Sequence, residues 1–343
     1  MTGSQTITKP PAPAGGRPPG LAGRVPLARL RDLALVPAIL LLVVVGAVID
    51  PVFLSAANIT NVLQQQTELA LLVLAEAIIL IAGKFDLSLE STIGLAPALA
   101  LALVIPAASN GLGTELPAGL AIPLCLLVGV VIGAFNGLLI LRFKLSAFIV
   151  TLGMLIVLRG LQIGITGGQN LFDIPPSVLY LGNAVWLGVP ASIWISGTLF
   201  VVGIVVLGFF RHGRAVYAVG GNTDAARAAG IRTDRVVWII LMVGGLLAAL
   251  AGLLMTGRLG SVAAAQGDGM IFTVFAAAVI GGISLDGGKG TLFGALCGVV
   301  VLGLINNILT LAGVSAQWIQ AIYGAIILIA LILARLTSGK AQD

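Results

Sequence analysis

Arg211–Arg235 reads RHGRAVYAVGGNTDAARAAGIRTDR, and it is the longest polar interruption in a chain that is otherwise mostly lipid-soluble. Its centre, Asn222–Ala229, has the pattern of a two-turn helix. Asn222 or Thr223 offers an N-cap oxygen, Asp224 falls in the first turn where the helix dipole favours an anion, and Gly230 suits the left-handed position after the last turn. A helix of two turns is marginal alone in water. Its alanines, Ala225, Ala226, Ala228 and Ala229, make a thin rod that a partner's groove could accept closely.

On either side of this island the chain is apolar. Hydrophobic residues make up 59% of the 343 and charged residues 9%, where soluble domains carry about 25% charged residues. This composition identifies an all-α polytopic membrane protein. A net charge of +5 does not point to nucleic acid, because the basic residues sit in the short segments between apolar runs. Cys125 and Cys297 both lie inside apolar runs and read as small buried hydrophobes rather than a disulfide or a metal site. The lone His212 has no second histidine nearby, which argues against a metal role.

A bilayer-spanning helix needs roughly 20 apolar residues. Ten candidates satisfy or approach this: 33–49, 66–83, 88–106, 118–141, 145–165, 191–210, 236–256, 268–283, 291–311 and 317–336. Together they form a transmembrane domain over 33–337. A Pro- and Gly-rich tail precedes it at 1–32 and reads as disordered, and a short tail follows at 338–343. Residues 52–65 are too polar to span and are expected along the outer interface. With the N-terminus in the cytosol, ten spans put both termini and 16 of the 18 Lys and Arg residues inside, leaving Arg159 near a span and Arg258 outside. Arg211–Arg235 then faces the cytosol. Trp186, Trp194, Trp238 and Trp318 fall near span ends, as an interfacial belt would.

Two Gly-rich breaks, Gly83–Ser91 (GKFDLSLES) and Gly281–Gly290 (GGISLDGGKG), each end one span and begin another. They are six spans apart and equally oriented, which fits either a parallel internal repeat or chance similarity. Irregular backbone at membrane depth is tolerated only where protein or water covers it, so each break is either a pathway lining or a tight cytosolic turn. The stretch Gly282–Thr291 imitates a phosphate loop but fails twice, with Ile283 where Gly is required and Gly290 after Lys289 instead of Ser or Thr. Energy therefore has to come from a separate ATPase or an ion gradient.

Intramembrane polar residues are functional hypotheses by default. Glu76 lies near the middle of its span, with Glu68 two turns before it. A buried, hydrogen-bonded Glu76 that pins helices, a place on a polar substrate path and proton coupling are the readings open to it. The same choice between path and packing applies to Gln64, Gln65, Asp86, Ser88, Asn306 and Asn307. Lys84, Asp86 and Glu90 are spaced for a local ion-pair cluster at a helix start.

Five groups of residues in order resemble the permease subunit of bacterial ribose/xylose-type ABC sugar importers, from about residue 35 to 335. They are Asn58, Asn61 and Gln64-Gln65; Asp86-Leu87-Ser88; and Ala147-Phe148-Ile149 with Thr151-Leu152-Gly153 and Arg159-Gly160. The fourth is the series Gly213-Arg214, Tyr217-Ala218, Gly220-Gly221-Asn222, Ala225-Ala226 and Gly230-Ile231. The fifth is Gly281-Gly282, Ser284-Leu285, Gly287-Gly288 and Gly290. Lys84 and Glu90 stand where the family usually has Gly, and Ser146 where Pro is common. The resemblance implies a non-enzymatic transport subunit of the bacterial inner membrane that pairs with a second copy and carries a monosaccharide delivered by an extracytoplasmic binding protein. Gly220, Gly221, Asn222, Asp224, Ala225, Ala226, Arg227, Ala229 and Gly230 would couple to an ABC ATPase. That partner would hold the ATP and Mg, with no cofactor in this chain. A nucleoside or signalling furanose as cargo, or a proton-coupled secondary transporter using Glu76 and Asp86, are the alternatives.

Overall fold

The computed structural model describes residues 35–315, 317–319, 321–326 and 328. The expected tails at 1–32 and 338–343, and half of the span at 317–336, lie outside the described residues. Nine helices occupy the first nine expected positions: α1 Leu35–Ile49, α2 Ala56–Ile81, α3 Leu89–Ala102, α4 Ala121–Arg142, α5 Ala147–Thr166, α7 Ala191–Phe209, α10 Thr233–Leu259, α11 Met270–Ile280 and α12 Leu292–Leu311. Between α5 and α7 lie a short helix α6, Pro176–Asn183, and a two-residue hairpin, β1 Val185–Trp186 with β2 Val189–Pro190. The loop between α7 and α10 folds into α8, Arg211–Gly221, and α9, Thr223–Ala228.

Six of these helices are long and apolar enough to cross a bilayer, whereas α1, α3 and α11 are shorter. At 1.5 Å per residue, α3 is about 21 Å long and α11 about 17 Å, each well under a hydrocarbon core of about 30 Å. Among the described residues six of the ten candidate spans are full-length helices and α1, α3 and α11 are shorter; the third and eighth candidates are already short or Gly-interrupted in the sequence. The expectation for 52–65 is also corrected. A 3-10 turn at Pro51–Leu54 leads directly into α2, which begins at Ala56 and runs unbroken for 26 residues. Asn58, Gln64 and Thr67 lower the hydropathy of its first half, but each finds a hydrogen-bond partner.

From Thr67 to Ile81 every residue of α2 is buried. A helix that is apolar all round belongs in the centre of its protein, and α2 is enclosed by α7, α8, α10, α11 and α12. The second central helix is α10, packed against α2, α3, α4 and α6. Lipid offers no hydrophobic force between helices, so close approach of backbones has to supply the attraction. Glycine makes that approach possible. A Cβ on Gly245 of α10 would overlap the carbonyl oxygen of Gly129 in α4, and one on Gly133 would overlap that of Leu241. One on Gly252 would meet Ile93 of α3, and one on Gly257 would meet α6. The Gly129, Gly133, Gly137 ladder is the sequence signature of this crossing. By contrast, α5 and α7 have most of their apolar surface uncovered, with Ile149, Ile156, Val201 and Phe209 exposed.

The bundle has two distinguishable ends. At one end Gly83 after α2, Gly220 near the end of α8 and Gly287 between α11 and α12 meet. At the opposite end, Asn110 Nδ2 donates to the Asn170 carbonyl at 3.0 Å and Leu171 bridges Val262. Both cysteines are buried, and the described residues contain no disulfide.

Candidate functional site

Asn222 is the pivot of the polar loop. Its extended backbone (φ −162°, ψ 102°) separates α8 from α9, and its Oδ1 accepts from the Ala225 amide at 2.9 Å. Between the two candidate caps, Asn222 takes the role; the Thr223 hydroxyl turns back to the Val219 carbonyl at 2.9 Å. After α9 the Ile231 amide bonds the Ala226 carbonyl and the Gly230 amide bonds that of Arg227, both at 3.0 Å. With Gly230 at φ +84°, these two bonds form a Schellman stop. Asp224 and Arg227 sit at the dipole-favoured ends. Gly221, Asp224, Ala225, Arg227 and Ala229 are exposed, but Ala226 is turned inward at 4% exposure. It belongs to the anchor of α9 rather than its free face. Beside α9 a cleft of about 300 Å³ opens, lined by Arg227, Gly230, Ile231, Arg232, Thr233 and Asp234.

The preceding helix, α8, buries the stripe Gly213, Val216 and Val219 and delivers Gly220 to the two Gly-rich breaks. A Cβ on Gly220 would overlap the Ile81 carbonyl oxygen at the end of α2 and lie 2.7 Å from the Gly288 nitrogen. One on Gly287 would lie 2.7 Å from Gly83 Cα and 2.8 Å from the Gly220 oxygen. Gly83, Gly287 and Gly288 all have positive φ, at 72°, 84° and 68°, a conformation that glycine alone adopts without strain. Two hydrogen bonds tie the junction. The Gly288 amide donates to the Ile81 carbonyl at 2.8 Å, and the Tyr217 hydroxyl to the Gly290 carbonyl at 2.9 Å. The two breaks, 200 residues apart in sequence, therefore touch each other and the same end of α8.

Glu76, Asp86 and Ser88 come together, but inside the protein. The Asp86 amide is 3.4 Å from Glu76 Oε1, and Asp86 Oδ1 accepts from both the amide and the hydroxyl of Ser88. Asn136 of α4 donates to Ser88 Oγ at 2.8 Å and approaches both Asp86 oxygens at 3.4 Å. All four residues are at most 1% exposed. Asn136 was not singled out from the sequence, where one amide in an apolar run has no distinguishing context. The other amides are spread out. Gln64 Nε2 donates to the Gly182 carbonyl at 3.0 Å, and Asn58 and Asn307 exchange two amide hydrogen bonds of 2.9 Å. Gln65 is exposed and Asn306 half-buried, and neither approaches the Glu76–Asp86 group.

The expected cluster of Lys84, Asp86 and Glu90 does not form. No ion pair joins Lys84 to either acid among the described residues, Asp86 is engaged by Ser88, and Glu90 pairs with Arg159 of α5 at 3.5 Å. Glu90 Oε2 also accepts from the Ile271 amide at 3.1 Å, so one carboxylate serves the N-terminal turns of both short helices, α3 and α11. Arg159 Nη1 donates to Gln162 Oε1 at 3.0 Å and to the Gln266 carbonyl at 2.9 Å, while Nη2 lies 3.8 Å from Asp268. A second ion pair, Arg258 with Glu68 at 2.8 Å, joins α10 to α2. Arg159 and Arg258 were the two basic residues that charge placement left over, which was the available sign that they have internal partners. Among the described residues no three His, Cys, Asp or Glu side chains are grouped to hold a metal ion.

The family model described as a branched-chain amino acid transport system permease component matches residues 58–331. The ribose import permease protein of Haemophilus influenzae is 34% identical over 301 residues, covering 87% of this chain and 90% of that one. The chain belongs to the permease family of ribose/xylose-type ABC importers. A ribose import permease protein from Bacillus subtilis is 35% identical over 297 residues, 86% of this chain and 90% of the relative. The autoinducer 2 import system permease protein of Salmonella choleraesuis is 33% identical over 302 residues, 87% and 84%. No solved structure matches the chain. As an ABC importer permease it is a transport component of the inner membrane, with several apolar helices long enough to cross it.

Proposed function

We propose that this permease passes a monosaccharide of the pentose or hexose class across the inner membrane, driven by ATP hydrolysis on a separate ABC ATPase that docks on α9. The sugar arrives from an extracytoplasmic binding protein, two copies of the permease pair, and Arg211–Arg235 faces the cytosol with both termini. The observation that carries this reading is the glycine junction. A capped helix with a free face sits one residue from Gly220, and Gly220 rests against both membrane breaks. A push on α9 is therefore delivered to the ends of α2 and α11 and the starts of the segments leading to α3 and α12. ATP and Mg belong to the partner, and the failed phosphate-loop pattern in this chain agrees with that.

The autoinducer 2 relative supports a second cargo reading, a signalling furanose carried by the same architecture. Proton coupling finds less support, since Glu76 and Asp86 are enclosed and hydrogen-bonded.

Ala229→Glu adds a charge to the exposed end of α9 and is expected to abolish uptake in the assembled transporter while leaving the permease folded in the membrane. Ala226→Glu, at a buried position, is expected to lower the permease's own stability as well. Radiolabelled pentoses and hexoses taken up by proteoliposomes, with ATP hydrolysis followed in parallel, separate these outcomes. Wild-type uptake by Ala229→Glu would sink the docking assignment.

A further inference from the structure

We infer that Asp268 lines the water-filled translocation path and accepts hydrogen bonds from the hydroxyls of the passing sugar; this rests on the monosaccharide-import reading above. The residues between α10 and α11 do not return across the surface. From Leu259 the chain takes left-handed turns at Gly260, Gly267 and Gly269 (φ 68°, 89° and 74°) and descends between helices without regular structure. Gln266 Nε2 donates to the carbonyls of Ile93 at 2.9 Å and Gly252 at 3.3 Å. At 1.5 Å per residue, Gly252 is about 10 Å inside the end of α10 and Ile93 about 13 Å inside the end of α3. Arg159, which reaches Asp268, is about 10 Å inside the end of α5, a helix only about 30 Å long. Asp268 is thus held at membrane depth.

Its side chain is nevertheless 73% exposed, while the side chains of Glu68 and Glu90 are 3% and 6% exposed and Glu76 and Asp86 are buried. An open carboxylate at that depth is not compatible with acyl chains, and irregular backbone there is tolerated only where it meets protein or water. Both constraints are met if the face carrying Asp268 borders an aqueous path. The residues behind it are built to hold it still. Arg159 is fixed by Gln162 and the Gln266 carbonyl and balanced by Glu90, so it directs one guanidinium edge at Asp268 without covering it. A carboxylate with two acceptor oxygens suits the vicinal hydroxyls of a monosaccharide. A single open acceptor pair also lets the sugar go. Of the amides and acids expected on the path, Glu76, Asp86 and Ser88 bond with Asn136, Gln64 with Gly182 and Asn307 with Asn58, while Gln65 is exposed and Asn306 half-buried.

The test uses the permease assembled with its ATPase and binding protein in proteoliposomes, with radiolabelled ribose as probe. Asp268→Asn is expected to lower ribose uptake about tenfold, the loss of a charge-assisted hydrogen bond, with Asp268→Glu recovering part of it. Because both native cysteines are buried, Asp268→Cys can be labelled selectively. A membrane-impermeant methanethiosulfonate is expected to modify it, and ribose to slow the modification. This labelling decides the matter even if Asp268→Asn fails to assemble. Unimpaired uptake by Asp268→Asn, or an Asp268→Cys that the reagent never reaches, overturns the proposal. A wild-type complex that takes up no ribose defeats the cargo reading instead, which is a separate outcome.

Discussion

Gly220→Ala adds one methyl group where, among the glycines of the described residues, main chain lies closest to an added Cβ. The new Cβ would overlap the Ile81 carbonyl oxygen and sit 2.7 Å from the Gly288 nitrogen, and no side chain can rotate to relieve it because both neighbours are main chain. The contact has to open, and with it the 2.8 Å hydrogen bond between those two atoms. Overpacking of a well-filled site costs about 1–3 kcal/mol, and the lost hydrogen bond adds about 1 kcal/mol. Gly208, near the end of α7 and outside the coupling loop, provides the control, since a Cβ there meets nothing within 4 Å and its φ is not positive. In the reconstituted importer, Gly220→Ala is expected to lose sugar uptake and several degrees of Tm, with ATP hydrolysis no longer tied to transport. Gly208→Ala should keep both. Equal behaviour of the two variants, either both active or both dead, would refute a backbone junction as the connection between α9 and the membrane breaks.

Arg258→Ala leaves the Glu68 carboxylate, 2% exposed, without its counter-charge, and breaking a buried pair in this way costs about 3–5 kcal/mol. Thermal unfolding in detergent should show a large drop that Glu68→Gln in the same chain largely restores; an unchanged Tm for Arg258→Ala would mean the pair is not formed. Gly245→Leu places a side chain where the Gly129 carbonyl already is and is expected to prevent α4 and α10 from packing, read as loss of a monodisperse peak in detergent. Gly208→Leu, on the uncovered side of α7 where a Cβ has open space, should be indistinguishable from wild type.

Much of this was legible in the sequence because the membrane reduces the question to runs of apolar residues. Nine helices fall where such runs predict them, and the cap at Asn222 and the stop at Gly230 follow from residue types that have few other uses. The failures have common physical causes. The first part of α2 was missed because Asn58 and Gln64 look interfacial until their partners on α12 and α6 are in place. The shortness of α3 and α11 was itself legible, since the third and eighth apolar runs are short or interrupted by Gly. Depth also inverts function. Glu76 and Asp86 drew attention as intramembrane acids, yet they are buried, while Asp268 read as the edge of a span and lies open at membrane depth. The glycine ladder on α4 and the meeting of Gly83, Gly220 and Gly287 depend on contacts across the fold that no local window contains.

The three-way contact at Gly220 also bears on timing. A joint made of side chains has rotamers to spend, so the first part of any displacement is absorbed as side-chain rearrangement before the next element moves. Where main chain meets main chain there is no such slack, and motion of one segment begins the motion of the others. On the proposed docking of an ATPase at α9, the input stroke would therefore have almost no backlash. The phase lag between ATPase and membrane breaks would then be set by the rigidity of α8 rather than by repacking at the joint.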